Sequence, residues 1–236
     1  MIRVAILIAV LSVAFAFGTV LNDKENMKKS EKGKFGDYGP FDIEFTHVGR
    51  IVDPKCIRGD FVAMRILRNN GVVESDVVER SRYFNERRQY PMFHVSPCVS
   101  CGNITEQALA VCDKALLPAY KEAFPSRFVY IDVTNPLSWS RNKDDNIEVI
   151  KKFAILIDGC NDYYSPAIFT TKDSWEAITG SYSRFSDLPL WYTNLDGRRD
   201  HVNFVPFGGW QKPKAKTHTL IGRDECGNEE VMLGFW

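Results

Sequence analysis

The chain lacks an excess of either charge. Lys plus Arg and Asp plus Glu each number 30 among 236 residues, so the formal net charge is zero. That balance gives no footing for a nucleic-acid partner, which draws on a basic excess. The chain also lacks the ~20 consecutive apolar residues that a membrane span requires. Its longest such run, Val4 to Phe17, is broken only by Ser12 and is too short to cross, so no membrane partner is expected. It has no G-x-G-x-x-G in its first strand-to-helix turn, which removes a dinucleotide site. Histidines are few: His47, His94, His201 and His218 stand singly. No second Cys/His pair therefore accompanies Cys98-x-x-Cys101, and neither a zinc site nor any other metal or cofactor is expected. Tryptophan is absent before Trp139, and no internal repeat or low-complexity tract is visible.

The short apolar run has another use. Met1-Ile-Arg3 supplies a positive start, and Ala14, Ala16 and Gly18 supply small residues at its end. This is the pattern of a secretory signal over residues 1–18, cleaved near Ala16–Gly18. A secreted, extracellular chain is expected to oxidise its cysteines. Cys56, Cys98, Cys101, Cys112, Cys160 and Cys226 are even in number, and six cysteines allow about 15 connectivities. Asn103-Ile-Thr105 is a glycosylation sequon. Residues 19–38 are rich in Lys, Glu and Gly, with little to bury, and read as a flexible leader. The remainder, 39–236, is long enough for one domain with its own core.

Within that domain, apolar runs of strand length alternate with stretches of helical period. Strands are expected at 41–45, 61–67, 90–95, 128–133, 167–170 and 190–193. Helices are expected at 76–86, 105–117, 144–160 and 173–179. The last forty residues change rhythm: Gly208-Gly209 is followed by alternation around 216–221 and 231–235, with no helical period. Strands separated by helices imply a parallel sheet with right-handed crossovers. Six or more in ~200 residues predict an α/β fold, a small irregular (β/α) barrel of TIM-like kind with a mostly β C-terminal part.

Phe128-Val-Tyr-Ile-Asp-Val-Thr134 is the most informative segment. It reads as a buried strand delivering Asp132 to its C-terminal end. A carboxylate there is costly unless paired, hydrogen-bonded or used, and at the mouth of a barrel it points to chemistry.

Several segments, in order, resemble the invertebrate branch of glycoside hydrolase family 25, the lysozyme-like proteins of nematodes and amoebae. They are Tyr90-Pro-Met-Phe-His-Val-Ser-Pro-Cys-Val-Ser-Cys-Gly-Asn103, Phe128 to Trp139, Asp173-Ser-Trp-Glu-Ala-Ile-Thr-Gly180, Leu188-Pro-Leu-Trp-Tyr192 and Asn203-Phe-Val-Pro-Phe-Gly-Gly-Trp210. The resemblance implies a short β/α barrel that hydrolyses the β-1,4 bond between N-acetylmuramic acid and N-acetylglucosamine in bacterial peptidoglycan, in defence or digestion. It implies a carboxylate on strand one, matched by Asp42, and an Asp-x-Glu on strand four, matched by Asp132-Val-Thr134. The Glu is replaced by Thr134, and a threonine hydroxyl cannot serve as the acid that glycoside hydrolysis needs. Weakened catalysis or glycan binding without cleavage is the consequence. Glu44, two residues after Asp42, shares its strand face by period two and is a candidate replacement. The apolar end, Val231 to Trp236, offers nothing catalytic.

Phe93, Trp191, Tyr192 and Trp210 are candidates to stack on sugar rings, with barrel core as the alternative for each. His94 reads as a packed histidine. Cys98 and Cys101 are expected to close locally, although a redox pair is a third, weaker reading. Cys56 is expected to join Cys226, since closure makes first and last strands neighbours. Cys112 is then left for Cys160. The expected partner is peptidoglycan or a related glycan, bound by a monomer.

Overall fold

The computed structural model describes residues 44–236; the expected signal and leader lie outside them. Eight strands close a barrel in sequence order. They are β1 (Glu44–Arg50), β2 (Phe61–Leu67), β3 (Tyr90–Val95), β4 (Phe128–Val133), β5 (Ser165–Thr170), β6 (Leu190–Thr193), β7 (Ala215–Arg223) and β8 (Glu229–Phe235). Strands β1 to β7 pair in parallel, and β8 runs antiparallel between β7 and β1. Helices α1 (Val77–Glu86), α2 (Ile104–Val111), α3 (Leu117–Glu122), α4 (Lys143–Asp158) and α5 (Lys172–Thr179) cover the outside, with a π-helical turn, Cys112–Leu116, joining α2 to α3. The expected barrel with a mostly β end is what the chain forms.

The strands read as nearly continuous apolar runs because both their faces are buried. On β4, Val129, Ile131 and Val133 face the helices, while Tyr130 faces the lumen with Phe45, Ala63, Met92, Ala167, Phe169, Trp191 and Ala215. Small residues from β2, β5 and β7 leave room for the large rings of the other strands. The Trp191 ring stacks on Phe169 with centroids 3.9 Å apart, and its indole N–H donates to Thr217 Oγ1 at 2.8 Å.

Helix ends follow local chemistry. Asn142 caps α4 by accepting from the Asp144 amide, and Asp144 and Asp145 sit in its first turn, where the helix dipole favours anions. Gly180 ends α5 at φ 67°, a left-handed conformation that suits glycine. The exposed Asn103 accepts from the Thr105 amide and caps α2.

Two boundaries differ most from the sequence expectation. Strand one, expected to end at 45, runs on to Arg50, because β2 and β8 both pair along Phe45 to Val48; its expected start at 41–43 lies outside the described residues. The helix expected to end at 117 continues through the π turn to Glu122.

Cys56–Cys226, Cys98–Cys101 and Cys112–Cys160 are the disulfides, with Cα separations of 6.0, 5.3 and 5.7 Å. The first ties the β7–β8 turn to the β1–β2 connection. Asn228 reinforces that tie from full burial: its Oδ1 accepts the amides of Val52 and Asp53, and its Nδ2 donates to Asp53 O and Asp224 Oδ2.

No helix follows β6. An irregular segment, residues 194–214, takes its place, held by Lys216 at 1 % exposure. The Lys216 ammonium donates to both Asp196 oxygens and to the carbonyls of Arg198 and Asp200. Removing one partner of such a buried pair strands the other charge. Lys216→Met is therefore expected to lower the free energy of unfolding by about 3 kcal/mol. Urea denaturation measures it, and an unchanged midpoint would contradict the clamp.

Candidate active site

The strand period that builds the core also builds the site. Continuing the inward-facing series past Tyr130, Met92, Ala63 and Phe45 brings Asp132, His94, Arg65 and His47 into the upper lumen. Above them opens a cleft of about 520 Å³ at the C-terminal ends of the strands, within the range of ligand sites. Its walls include Asn69, Ser96, Thr134, Asn135, Trp139, Phe169, Thr193 and Glu230.

Asp132 is held on both oxygens. Ser96 Oγ donates to Oδ2 at 2.9 Å; the Thr134 amide and hydroxyl donate to Oδ1 at 3.0 and 2.6 Å. Burial raises its pKa above the usual carboxylate value, opposed by those hydrogen bonds and by the charge of Arg65. The Thr134 hydroxyl thus has a definite role: it fastens the Asp132 carboxyl.

Beneath lies a histidine pair. His47 Nε2 and His94 Nε2 are 3.0 Å apart, one donating to the other, and neither Nδ1 has a partner. Burial, then the Arg65 charge, lowers His47 to about 3. Burial, then His47 and Arg65, holds His94 well below its ordinary value. The packed role expected for His94 is the one it has.

The second cleft carboxylate is one the sequence reading missed. Glu230 follows Glu229 at the start of β8, where the strand was expected to begin only at Val231. Its partners skip it: Gly222 pairs with Val231, and Arg223 with Glu229. Glu230 is thus the extra residue of a bulge, with φ 55°. Bulges re-aim side chains, and such strain often marks functional sites. On the β1 side Glu230 falls opposite Gly49, where a Cβ would come within 1.8 Å of Glu230 Oε2. The missing side chain of Gly49 makes room for the carboxylate. The signal available in the sequence was Glu-Glu immediately before an apolar strand.

The expected site residues are distributed otherwise. Asp42 lies outside the described residues. Glu44 opens β1 rather than ending it, faces away from the lumen by strand parity with Phe45, and pairs with Arg199 at 2.8 Å. It does not line the cleft. The four candidate stacking aromatics do not line it either. Trp191 is sealed in the lumen, and Phe93 faces the helices. Trp210 packs on Trp175 and donates to Leu188 O, and the partly buried Tyr192 packs on Phe204 and Phe207. Each is an amphipathic or aromatic residue that barrel packing claimed. Trp139 and Phe169 are the cleft's aromatic rings instead. Among the described residues, no His/Cys/Asp/Glu group is arranged to hold a metal ion.

The histidine pair has a consequence for stability. In the unfolded chain imidazoles take up protons below about pH 6.5, whereas the folded pair stays neutral. The unfolded state then binds more protons, so stability is complete above that pH and falls as pH drops. Asp132, with its raised pKa, acts oppositely: its contribution is lost as pH rises through the folded value. The urea midpoint is expected to fall between about pH 7 and about pH 5. The fall should flatten in the His47→Gln/His94→Gln double variant and steepen in Asp132→Asn. A pH-independent midpoint in the unaltered protein would refute this.

Comparison with known proteins bears on the family and the fold. The family model described as lysozyme-like protein 1 matches residues 31–218. A probable GH family 25 lysozyme 2 of Dictyostelium discoideum is 28% identical over 202 residues, 82% of this chain and 87% of the relative. Lysozyme-like protein 5 of Caenorhabditis elegans is 26% identical over 73% of this chain and 80% of its own. Among solved structures, the spore cortex lytic enzyme of Clostridium perfringens superposes with TM-score 0.65 at 16% identity, covering 84% of this chain and 68% of that one. The bacterial lysozyme of Streptomyces coelicolor gives 0.61 at 13% identity, covering 84% and 93%. These structural likenesses establish a shared fold.

Proposed function

The chain belongs to the lysozyme-like protein family, with relatives among the family 25 lysozymes, and from that premise we propose that it is a secreted protein that binds bacterial peptidoglycan and hydrolyses it slowly. Its setting would be defence against bacteria or their digestion. Three disulfides are consistent with an oxidising compartment.

One observation carries the reading: a half-buried carboxyl with a raised pKa, Asp132, lies at the floor of a glycan-sized cleft with the Thr134 hydroxyl bonded to it. Glycoside hydrolysis uses two carboxyl groups, one giving a proton to the leaving oxygen and one remaining ionised. Environments that differ are what separate such roles. Asp132 is the proton donor in this reading, since burial favours its protonated form. Glu230, exposed on the cleft wall, is the partner carboxyl. The same donors that position Asp132 favour its charged form and so reduce how often it holds the proton to be given, which is the basis for weakened catalysis.

Clearing of bacterial cell-wall suspensions tests this. Asp132→Asn is expected to abolish lysis, and Glu230→Gln to lower it about 10²-fold. Thr134→Glu, by restoring a second acid beside Asp132, is expected to raise it. The fastened state of Asp132 also favours a second reading, a barrel that holds glycan without cutting it. Sedimentation with insoluble peptidoglycan, no lysis and no gain from Thr134→Glu would decide for that second reading.

A further inference from the structure

Of the six cysteines only Cys101 is exposed, while its partner Cys98 is buried. Their bridge spans a sequence separation of 3, against 48 for Cys112–Cys160 and 170 for Cys56–Cys226. A disulfide constrains the unfolded chain less as its loop shortens, so on chain entropy this bridge stabilises the fold least. Its position sets it apart. It closes the turn between β3 and α2, and the two residues just before it, Ser96 and Pro97, line the cleft.

The two halves of this turn are held differently. Cys98 is fixed from the α2 side: its amide donates to Gln107 Oε1 at 3.1 Å, and its carbonyl accepts from Gln107 Nε2 at 2.9 Å. Just before it, the Ser96 amide donates to the Leu67 carbonyl at 3.0 Å. Cys101 is tied back by the disulfide and by a long bond, 3.4 Å, from its amide to Cys98 O. Its sulfur lies 4.0 Å from the carbonyl of Asn69, a cleft residue, and a Cβ on Gly71 would lie 3.4 Å from Cys101 Cβ. The bridge thus seats Cys101 against the turn after β2 and braces the Asn69 side of the cleft rim. Breaking it leaves Ser96 and Cys98 anchored and releases Cys101.

We propose that Cys98–Cys101 is a redox latch on the cleft rim: a dithiol reductant opens it ahead of the other two disulfides, and opening loosens the Asn69 side of the rim and weakens glycan binding. The last step rests on the glycan-binding reading above; the first two do not. Exposed bridges are the labile ones among structural disulfides. One thiolate of the dithiol attacks the accessible Cys101 sulfur, and the S–S bond breaks with Cys98 leaving as the thiolate. Ser100 Oγ, 3.8 Å from Cys98 Sγ, is placed to donate to it. The second thiol of the reductant then attacks the mixed disulfide and departs with the first as a cyclic disulfide. Two electrons pass to the protein, and the two protons of the dithiol end on Cys98 and Cys101.

Redox titration of the full protein tests it. The protein is equilibrated at rising ratios of reduced to oxidised dithiothreitol, free thiols are alkylated, and the labelled cysteines are located by peptide mapping. Cys98 and Cys101 are expected to open first, at a ratio at least about tenfold below that of the other pairs. In that window hydrogen exchange should quicken at residues 69–72 and 99–102 and stay unchanged at Ser96 and along β4. Sedimentation with insoluble peptidoglycan should show binding weakened about fivefold, the low end of coupling between two sites. By linkage, bound peptidoglycan should raise the ratio needed for reduction by the same factor. The Cys98→Ser/Cys101→Ser variant should bind like the reduced protein and ignore dithiothreitol. Because the titration uses the unaltered protein, it stands even where that variant folds poorly. Opening of all three pairs together, or of Cys98–Cys101 last, would overturn the latch. So would selective opening with unchanged exchange at 69–72, or with peptidoglycan bound equally in both states. Selective opening with faster exchange there, but no peptidoglycan binding in either state, would keep the latch and overturn the glycan reading.

Discussion

The eighth strand, entering antiparallel between β7 and β1, is what the rest of the structure depends on. It closes the barrel, and closure seals the lumen around Trp191. It has to pass directly over Phe45, and Gly234 makes that possible. A Cβ at Gly234 would meet Phe45 Cζ at 2.1 Å and the Lys216 carbonyl at 2.6 Å. The same strand begins with the bulge that turns Glu230 into the cleft opposite Gly49. Two glycines on facing strands therefore serve one purpose: each yields space to a side chain of the other strand. The Cys56–Cys226 disulfide and Asn228 then hold the strand's leading turn against the β1–β2 connection, which keeps the Glu230 wall of the cleft in position.

The lumen is graded in polarity. Its lower part is aromatic, with Phe45, Tyr130 and Phe169 each packed on Trp191. Its upper part is ionisable, with the histidine pair, Arg65 and Asp132. The aromatic floor excludes water from below, so charges above it are desolvated. Desolvation lowers both histidines and raises Asp132, the opposite signs expected for groups that are cationic and anionic when charged. One physical cause thus yields neutral imidazoles and a proton-retaining carboxyl in the same cavity.

Much of the fold was legible in the sequence. Strands β2, β3, β4 and β6 follow their apolar runs, and α4 follows the spacing of Ile147, Ile150, Phe153 and Ile157. Closure of first onto last strand made Cys56 and Cys226 neighbours. Asp132 was legible as a carboxylate at a strand end, and Thr134 as the substitution beside it. Strand one was less legible. Its apolar signal fades after Phe45, and only pairing with β2 and β8 carries the strand on to Arg50.

The remainder was decided by packing in three dimensions. A tryptophan next to a strand end reads alike as a sugar platform and as core; parity and closure put Trp191 in the lumen and Tyr192 outside it. Glu230 gained its place from a bulge, which has no period to detect, and from the absence of a side chain at Gly49, far away in the chain. Arg65 looks like an ordinary interruption of an apolar strand until the barrel curls it inward among groups that do not neutralise it. The sequence alone determined the elements, their order and the carboxylate of β4, because these follow from local period and composition. The tertiary structure alone decided what stands opposite that carboxylate, because facing side chains are set by strand register and barrel closure.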